Sequence, residues 1–325
     1  MAIQTLDVKN SPHDDVSASP LEGYAHPPET TQQLDYADLI TLDISLFNAP
    51  GGKARLAEQL KQAAHEVSFF YITNFGLTQD QIDRQYAIGR EIYALPFEER
   101  LKYRAPLEEG NYNGYRPLGS VELVPGQPDK VEMYNLFEFI PQTQRTQPDV
   151  IRRHWKEIEQ VRRHIHEKVL INGHRYEANC DSALRYMMSR AKSPEENEKC
   201  KHIYTRDQTD FGTLTFVFQQ PVAALQMKRS PDAEWQWPRI PEGCTAVNIA
   251  DIVEFLSNGY LKSGIHRVVS LPADQVGLDR LGLLYFIRPS DVMNLGAIDS
   301  PLLRRLGYYS HEKQVDKDIA IPATE

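Results

Sequence analysis

The chain has 325 residues, of which 41% are hydrophobic and 25% charged, and its formal net charge at pH 7 is −9. These values are typical of a globular protein and exclude a mostly disordered chain, a collagen and a coiled coil. The acidic balance argues against non-specific nucleic-acid binding, which needs clustered lysine and arginine. No apolar run approaches the roughly 18 residues of a membrane span.

The N-terminal segment, residues 1–37, is rich in proline and poor in large apolar side chains. We expect a flexible or loosely docked arm there, with a strap across the surface as the alternative. The first 20 residues are polar and lack an apolar stretch, so no secretory signal is expected.

Short strands and helices are predicted to alternate after the arm. The apolar run at 39–44 and the aromatic, β-branched run at 69–73 are typical of strands. Leucine, alanine and valine recur at helical spacing from 56 to 67 and predict an amphipathic helix. Thr78 is a good N-cap for the next helix, and Pro96 marks the start of another.

Two longer segments follow. Residues 111–126 are rich in Tyr, Asn, Gly and Pro, and we predict a long loop that is a candidate substrate lid. Residues 150–169 carry one apolar stripe and predict a helix. We interpret His154, His164 and His166, on or beside that stripe, as solvated or capping residues. The alternative is a metal role, although residues two apart on a helix do not face each other.

Beyond residue 186 the pattern changes to regular short strands separated by turn residues, which is typical of a sandwich or barrel. The predicted strands are 213–218, 224–227, 245–250, 266–271 and 283–287. Asp251 and Glu254 are interpreted as a structural turn after a strand, and Trp235 and Trp237 as hairpin packing. Neither GxGxxG nor a P-loop occurs, so a nucleotide site has no support.

Five segments carry a resemblance to a known family. They are FFYITNFG at 69–76, NGY at 113–115, DQTDFGTLT at 207–215, GIHRVV at 264–269 and RLGLLYF at 280–286. In this order and spacing the chain resembles the iron(II)- and 2-oxoglutarate-dependent oxygenases. Within them it is similar to the isopenicillin N synthase-like group, especially its fungal members. The resemblance runs from about residue 38 to about residue 290.

The resemblance implies an α+β fold, in which a double-stranded β-helix, or jelly roll, carries a helical N-terminal lobe. The expected organisation is a flexible arm at 1–37, an N-terminal dioxygenase domain at 38–148, a connecting helix at 149–179, the jelly-roll domain at 180–290 and a tail at 291–325.

The resemblance also implies a site. Gln208, Asp210 and His266 stand at the positions of the iron(II) ligands, and Arg280 at that of the arginine that binds the distal carboxylate of 2-oxoglutarate. Two imidazoles and one carboxylate on one face of the ion leave room for co-substrate and dioxygen. Residues two apart on a strand point the same way, so positions 208 and 210 can reach one ion. A guanidinium matches a carboxylate bidentately.

Gln208 departs from the family, whose first ligand is histidine, and an amide oxygen binds iron(II) more weakly than imidazole does. Three hypotheses stay open. Gln208 is a weakened but working ligand, or Asp210, His266 and water hold the metal, or the chain is a degenerate or repurposed homologue.

Three smaller departures accompany it. Gly282 stands where relatives carry a hydroxyl two residues after the arginine. Ser189 occupies the position of a tyrosine that faces the co-substrate. The stretch from 169 to 174 is short, as if a helix were missing or the gene model mis-spliced.

The primary hypothesis is therefore a 2-oxoglutarate- and Fe(II)-dependent oxidoreductase that hydroxylates, desaturates or cyclises a small organic molecule. Dioxygen is its co-substrate, ascorbate a candidate reductant, and fungal secondary metabolism or small-molecule catabolism the expected context. The alternative is a non-catalytic small-molecule-binding protein on the same fold. No nucleic-acid, membrane or obligate protein partner is expected. A reducing, cytoplasmic location is expected because the three cysteines show no CxxC spacing.

Overall fold

The computed structural model describes residues 20–140, 143–169, 174, 176, 180–291, 293–309 and 321–322. The strands in this part of the chain are β1 (Thr41–Asp43), β2 (Phe69–Thr73), β3 (Gly114–Arg116), β4 (Glu122–Val124), β5 (Gln127–Pro128), β6 (Val131–Phe137), β7 (Ala183–Ser189), β8 (Ile203–Gln208), β9 (Leu214–Phe218), β10 (Leu225–Lys228), β11 (Cys244–Ile249), β12 (Ile265–Val269), β13 (Arg280–Ile287), β14 (Asn294–Leu295) and β15 (Ile321–Pro322). The α-helices are α1 (Gly52–Glu66), α2 (Gln79–Ala94), α3 (Phe97–Leu101), α4 (Asp149–Val169), α5 (Pro194–Lys199), α6 (Asp251–Leu256) and α7 (Pro301–Arg305).

Two sheets form the body of the protein. The larger has the order β1-β2-β11-β9-β13-β7-β6-β3 and is antiparallel except for the β1–β2 pair. The smaller has the order β10-β12-β8. A cavity lies between them with walls from both sheets. This arrangement, with helices packed on the larger sheet, confirms the predicted α+β jelly roll.

The central strands of the larger sheet have two different faces, because successive side chains alternate across a strand. The outer positions of β7 and β13 are apolar and join the main buried core; they are Leu184, Tyr186, Met188, Leu281, Leu283, Tyr285 and Ile287. The inner positions face the cavity and include Arg185, Met187, Arg280, Leu284 and Phe286. The charged side chains of β7 and β13, Arg185 and Arg280, therefore lie on the cavity side.

The helical lobe covers the outer face. Helices α2 and α4 pack on each other, and α2 also contacts β7 and β13. Thr78 caps α2 in a reciprocal arrangement with Gln81, which confirms the predicted N-cap. No helix in the described part of the chain is long and apolar enough to cross a membrane.

Three local predictions need correction. The strand predicted at 39–44 is only three residues long, because the Asp43 side chain accepts from the backbone N–H of Ser45 and caps a 3-10 turn. Residues 111–126 are not a continuous loop, since β3 pairs with β6 and β4 forms a hairpin with β5. Asp251 and Glu254 lie in α6 instead of a turn, although their bonds to Ser263 are structural, as expected.

The prediction that the histidines of α4 are solvated is wrong for two of them. His154 and His166 are buried, and His154 has a non-helical backbone that kinks the helix. Its Nδ1 lies 3.1 Å from a carboxylate oxygen of Glu157. His164 is tied to the chain outside the helix, with Nε2 2.7 Å from the carbonyl oxygen of Phe75.

The arm is docked where the structure describes it. Tyr24 stacks on Tyr86 with ring centroids 5.2 Å apart, and His26 Nε2 lies 2.9 Å from an Asp83 carboxylate oxygen. Further on, the backbone of Trp237 bonds to both sides of the arm's end, so residues 20–37 form a strap rather than a flexible tail. Residues 1–19 and most of the short 169–174 stretch lie outside the described residues.

Candidate active site

The cavity between the two sheets has a volume of about 420 Å³. Its wall contains all four residues that the sequence singled out: Gln208, Asp210, His266 and Arg280. The remainder of the wall is mainly aliphatic and aromatic, as in most small-molecule sites.

Asp210 and His266 form the polar centre of the cavity. His266 Nε2 lies 3.6 Å from Asp210 Oδ1. The other imidazole nitrogen, Nδ1, lies 2.9 Å from the carbonyl oxygen of Gly264, so Nδ1–H donates there and Nε2 is the nitrogen that faces Asp210. A backbone carbonyl that fixes the tautomer in this way is the usual support of a metal-binding histidine.

The carboxylate of Asp210 is held in its charged form. Burial acts to raise the pKa of Asp210, but the attraction of His266 and hydrogen bonds from Asn248 and Thr215 lower it, and the net pKa lies below the ordinary value. The Asn248 amide donates to Asp210 Oδ2 over 2.9 Å. An ionised oxygen ligand is therefore present beside the imidazole.

Strand geometry does not direct Asp210, contrary to the expectation that positions 208 and 210 share one strand face. Strand β8 ends at Gln208, and Asp210 lies in the connection to β9. Its backbone carbonyl accepts from the N–H of Asp251, 3.0 Å away. Asp210 is thus positioned by α6 and by Asn248 of β11.

Gln208 lies directly opposite His266 in the β8–β12 ladder and is an exposed residue of the cavity wall. Within the described residues, no group of three or more His, Cys, Asp and Glu side chains could hold a metal ion. A metal at Asp210 and His266 would consequently take its remaining ligands from the Gln208 amide oxygen, from co-substrate or from water. The residues fit iron(II), with one weak position.

Arg280 is a buried cation on the larger-sheet side of the cavity. It is 6% exposed, and among the described residues its Nε and Nη1 have no hydrogen-bond acceptor. Burial lowers the pKa of Arg280 to about 10, so the guanidinium remains charged at neutral pH. Leaving such a group unsatisfied is costly, which indicates that a ligand completes it.

Ser189 stands opposite Arg280 in the β7–β13 ladder. Its hydroxyl oxygen is likewise buried and lacks a hydrogen-bond partner within the described part of the chain. The two side chains together offer a fork and a hydroxyl to one anionic group, and a carboxylate matches this set.

Sequence reasoning gave no role to one further cavity residue, Arg185 of β7. Its guanidinium lies over the ring of Phe286, 4.2 Å from the centroid, and it belongs to the cavity wall. The available signal was its spacing, because Arg185 is two and four residues from Met187 and Ser189 on the same strand face.

Comparison with known proteins agrees with the geometry. A family model described as the non-haem dioxygenase in morphine synthesis N-terminal matches residues 39–158. A second, the 2OG-Fe(II) oxygenase superfamily, matches residues 162–289. Together they span most of the chain.

Individual proteins are more distant. A 1-aminocyclopropane-1-carboxylate oxidase of Dictyostelium mucoroides is 24% identical over 312 residues, covering 79% of this chain and 83% of that protein. A homoarginine-6-hydroxylase of Arabidopsis thaliana is 26% identical over 245 residues, covering 67% and 73%. Among solved structures, a full-length Neurospora crassa protein crystallised in complex with α-ketoglutarate has a TM-score of 0.70 at 22% identity, covering 92% of this chain and 97% of that one. That likeness shows the fold.

Proposed function

Because the chain belongs to the 2OG-Fe(II) oxygenase superfamily, in its isopenicillin N synthase-like branch, we propose that the cavity between its sheets oxidises a small organic molecule. As a member of this family it is an oxidoreductase that uses iron(II) and 2-oxoglutarate. The proposal extends this to the outcome, which is hydroxylation, desaturation or ring closure. A cytoplasmic role in fungal secondary metabolism or small-molecule catabolism is part of the same proposal.

The observation that carries the proposal is the guanidinium of Arg280, which lacks acceptors among the described residues and shares a cavity with the Asp210–His266 pair. Arg280 would hold the distal carboxylate of 2-oxoglutarate, and the buried Ser189 hydroxyl would donate to the same group. Since both side chains project from adjacent strands of the larger sheet, the co-substrate would be oriented before dioxygen arrives.

Asp210, His266 and Gln208 would hold the iron. Iron(II) bound there supplies, with 2-oxoglutarate and dioxygen, an oxidant for the substrate, while the co-substrate leaves as succinate and carbon dioxide. The hydrogen bond from His266 Nδ1 to the Gly264 carbonyl orients the imidazole so that Nε2 is the nitrogen available to the metal, and the hydrogen bond from Asn248 keeps the Asp210 carboxylate oriented.

Residues 111–126 are proposed as the cover of the site. Tyr112, Val121 and Leu123 contribute apolar side chains to the cavity wall. Arg206 of β8 fastens the β4–β5 hairpin, because its guanidinium donates to the backbone carbonyls of Glu122 and Leu123, each 3.0 Å away. Such a cover would exclude water from the reacting centre.

The test is anaerobic reconstitution of the native chain with iron(II), followed by measurement of succinate formed from 2-oxoglutarate in air. The native chain should bind iron and form succinate, and Asp210→Ala should do neither. If the native chain binds 2-oxoglutarate but forms no succinate with iron present, the non-catalytic binding hypothesis replaces this one.

A further inference from the structure

Arg185 is a second cation of the cavity, placed on the floor formed by the larger sheet. In the strand ladders it lies between Asn135 of β6 and Leu284 of β13. Its Nε donates to the side-chain oxygen of Asn135 over 2.7 Å, and its guanidinium stacks on Phe286. One hydrogen bond and one ring contact therefore fix the plane of the guanidinium.

The outer nitrogens of Arg185 are Nη1 and Nη2. Within the described residues, no carboxylate lies within 4 Å of them and no acceptor bonds to them, so the fork is open toward the cavity. The Asp210 carboxylate attracts the guanidinium from a greater distance. Arg280 aside, the remaining two arginines of the wall differ from Arg185. Arg116 is ion-paired with Asp129, and Arg206 is occupied by backbone carbonyls.

The charge of the cavity is opposite to that of the chain. The chain has a net charge of −9, yet the cavity wall holds four arginines and two aspartates. The Arg116–Asp129 pair is internally neutral, Asp210 is assigned to the metal and Arg280 to the co-substrate. Of the two arginines that remain, Arg206 is bound to backbone carbonyls. Arg185 is therefore the cation whose outer nitrogens this assignment leaves available, in an otherwise mostly apolar enclosure where a charge interacts strongly.

We propose that Arg185 binds a carboxylate of the primary substrate, which makes the substrate class small carboxylic acids with an apolar body. A planar carboxylate can accept from both outer nitrogens of the fork at once. The body of the substrate would lie against the apolar wall, which includes Phe69, Met133, Met187, Leu284 and Phe286. This proposal rests on the proposed function, because it assumes that Arg280 is taken by 2-oxoglutarate.

Asn135 is the positioning residue for this contact. While its oxygen accepts from Arg185, its amide nitrogen donates to the backbone carbonyl of Tyr112 over 2.9 Å. The orientation of the substrate-binding arginine is thereby linked to the start of the 111–126 cover.

Equilibrium binding tests the proposal with defined probes. Phenylacetate, 3-phenylpropanoate and 4-phenylbutyrate are each compared with the matching primary amide by calorimetry. The full chain is loaded with Mn(II) and with N-oxalylglycine, a non-reacting analogue of 2-oxoglutarate. The proteins are the native chain, Arg185→Gln, Arg185→Met, Arg280→Ala and the control Arg55→Gln, which removes an exposed charge on α1.

At least one acid should bind the native chain and Arg55→Gln at least about tenfold more tightly than its amide, because only the acid forms charge-assisted bonds to the fork. Both Arg185 variants should lose that preference while keeping the amide affinity. The absence of any preference in the native chain, or its persistence in folded Arg185→Gln and Arg185→Met, overturns the proposal.

Failure of the proposed function and failure of the Arg185 proposal are distinguished by two different measurements. If N-oxalylglycine does not bind, the co-substrate assignment of Arg280 fails, whereas the acid preference and its loss in the Arg185 variants are still measured on the protein alone. A preference that Arg280→Ala removes and the Arg185 variants keep would place the carboxylate at Arg280 and also overturn the proposal.

Discussion

The two ends of the cavity are built differently, although they serve one reaction. At the co-substrate end, Arg280 and Ser189 stand in the β7–β13 ladder, which pairs without interruption from one end of β7 to the other. At the metal end, Asp210, His266 and Gln208 come from a connection and from two strands of the smaller sheet, whose β8–β12 register is irregular beside His266. The larger sheet thus supplies a rigid anion site, whereas the metal site is assembled from separate pieces.

This difference explains how Gln208 can stand at the histidine position of the family without disturbing the fold. Gln208 is the last residue of β8 and is exposed, so its side chain contributes little to the buried core. The main core lies on the opposite face of the larger sheet, against α2 and α4. A substitution at the metal end alters the chemistry there and leaves the co-substrate end and the fold as they were.

The largest expected effect is the loss of iron(II) binding when a ligand at the metal end is removed. Asp210→Ala and His266→Ala should each lower iron(II) affinity by more than about 100-fold, since removing a ligand costs more than removing a residue that supports one. Cooperative thermal unfolding should persist, because the core does not include the metal site. Anaerobic iron titration and a melting curve measure the two effects.

Asp207→Ala is the matched control, because Asp207 is an exposed neighbour on β8 and is not part of the cavity wall. It should hold iron like the native chain. If Asp210→Ala and His266→Ala also hold iron like the native chain, the ligands lie elsewhere.

The second prediction concerns substitutions at the co-substrate end, which should affect 2-oxoglutarate binding alone. Arg280→Ala should weaken 2-oxoglutarate binding by ~1.5–3 kcal/mol, the usual contribution of a hydrogen bond to a charged group. Arg280→Lys should also lose affinity, because a point charge cannot reproduce the fork. Calorimetric titration of 2-oxoglutarate measures both, with Arg55→Ala as the surface control.

The melting temperature of an Arg280 variant shows whether this residue serves the ligand or the fold. The guanidinium of Arg280 is buried and lacks acceptors among the described residues, so Arg280→Met should not lower the melting temperature of the ligand-free protein. A marked loss of stability would mean that Arg280 supports the fold, and equal 2-oxoglutarate affinity in all variants would remove it from the site.

The sequence predicted the residues of both ends of the cavity, but not the features that depend on long-range contacts. Positions 208, 210, 266 and 280 were found because a family motif combines residue types with fixed spacing, and the alternating pattern placed most strands around them. The docking of residues 20–37, the burial of His154 and the role of Arg185 depend on contacts far apart in the chain. Arg185 itself sits in an ordinary strand pattern, and only the pairing with Asn135 and Leu284 shows which face it occupies.

The third prediction concerns a substitution at the metal end that should raise iron(II) affinity. Gln208→His should raise iron(II) affinity by about tenfold or more, because imidazole replaces a neutral amide oxygen opposite His266. Asp207→His, one residue away and on the other face of β8, should leave the affinity unchanged. The two variants are compared by anaerobic titration. Equal behaviour of both would show that position 208 does not face the metal.

The smallest effect is expected from a substitution that adds a hydroxyl to the co-substrate end. Gly282 lies two residues after Arg280 on β13, so a side chain there would share the cavity face. A Cβ at this position would meet Leu284 Cδ1 at 3.5 Å and the carbonyl oxygen of Met187 at 3.7 Å, which are ordinary van der Waals contacts. Gly282→Ser should therefore fold normally and place a donor near the carboxylate held by Arg280.

The expected gain in 2-oxoglutarate affinity is ~0.5–1.5 kcal/mol, the net contribution of one typical hydrogen bond. Gly282→Ala is the matched control, since it adds the same Cβ and the same restriction of the unfolded chain without the hydroxyl. Iron affinity should be unchanged in both, because the addition lies at the other end of the cavity. Tighter co-substrate binding in Gly282→Ser alone would show that the co-substrate end still has room for one more ligand contact. An equal change in Gly282→Ala would trace the effect to packing, and the hydroxyl would then have no part in holding the carboxylate.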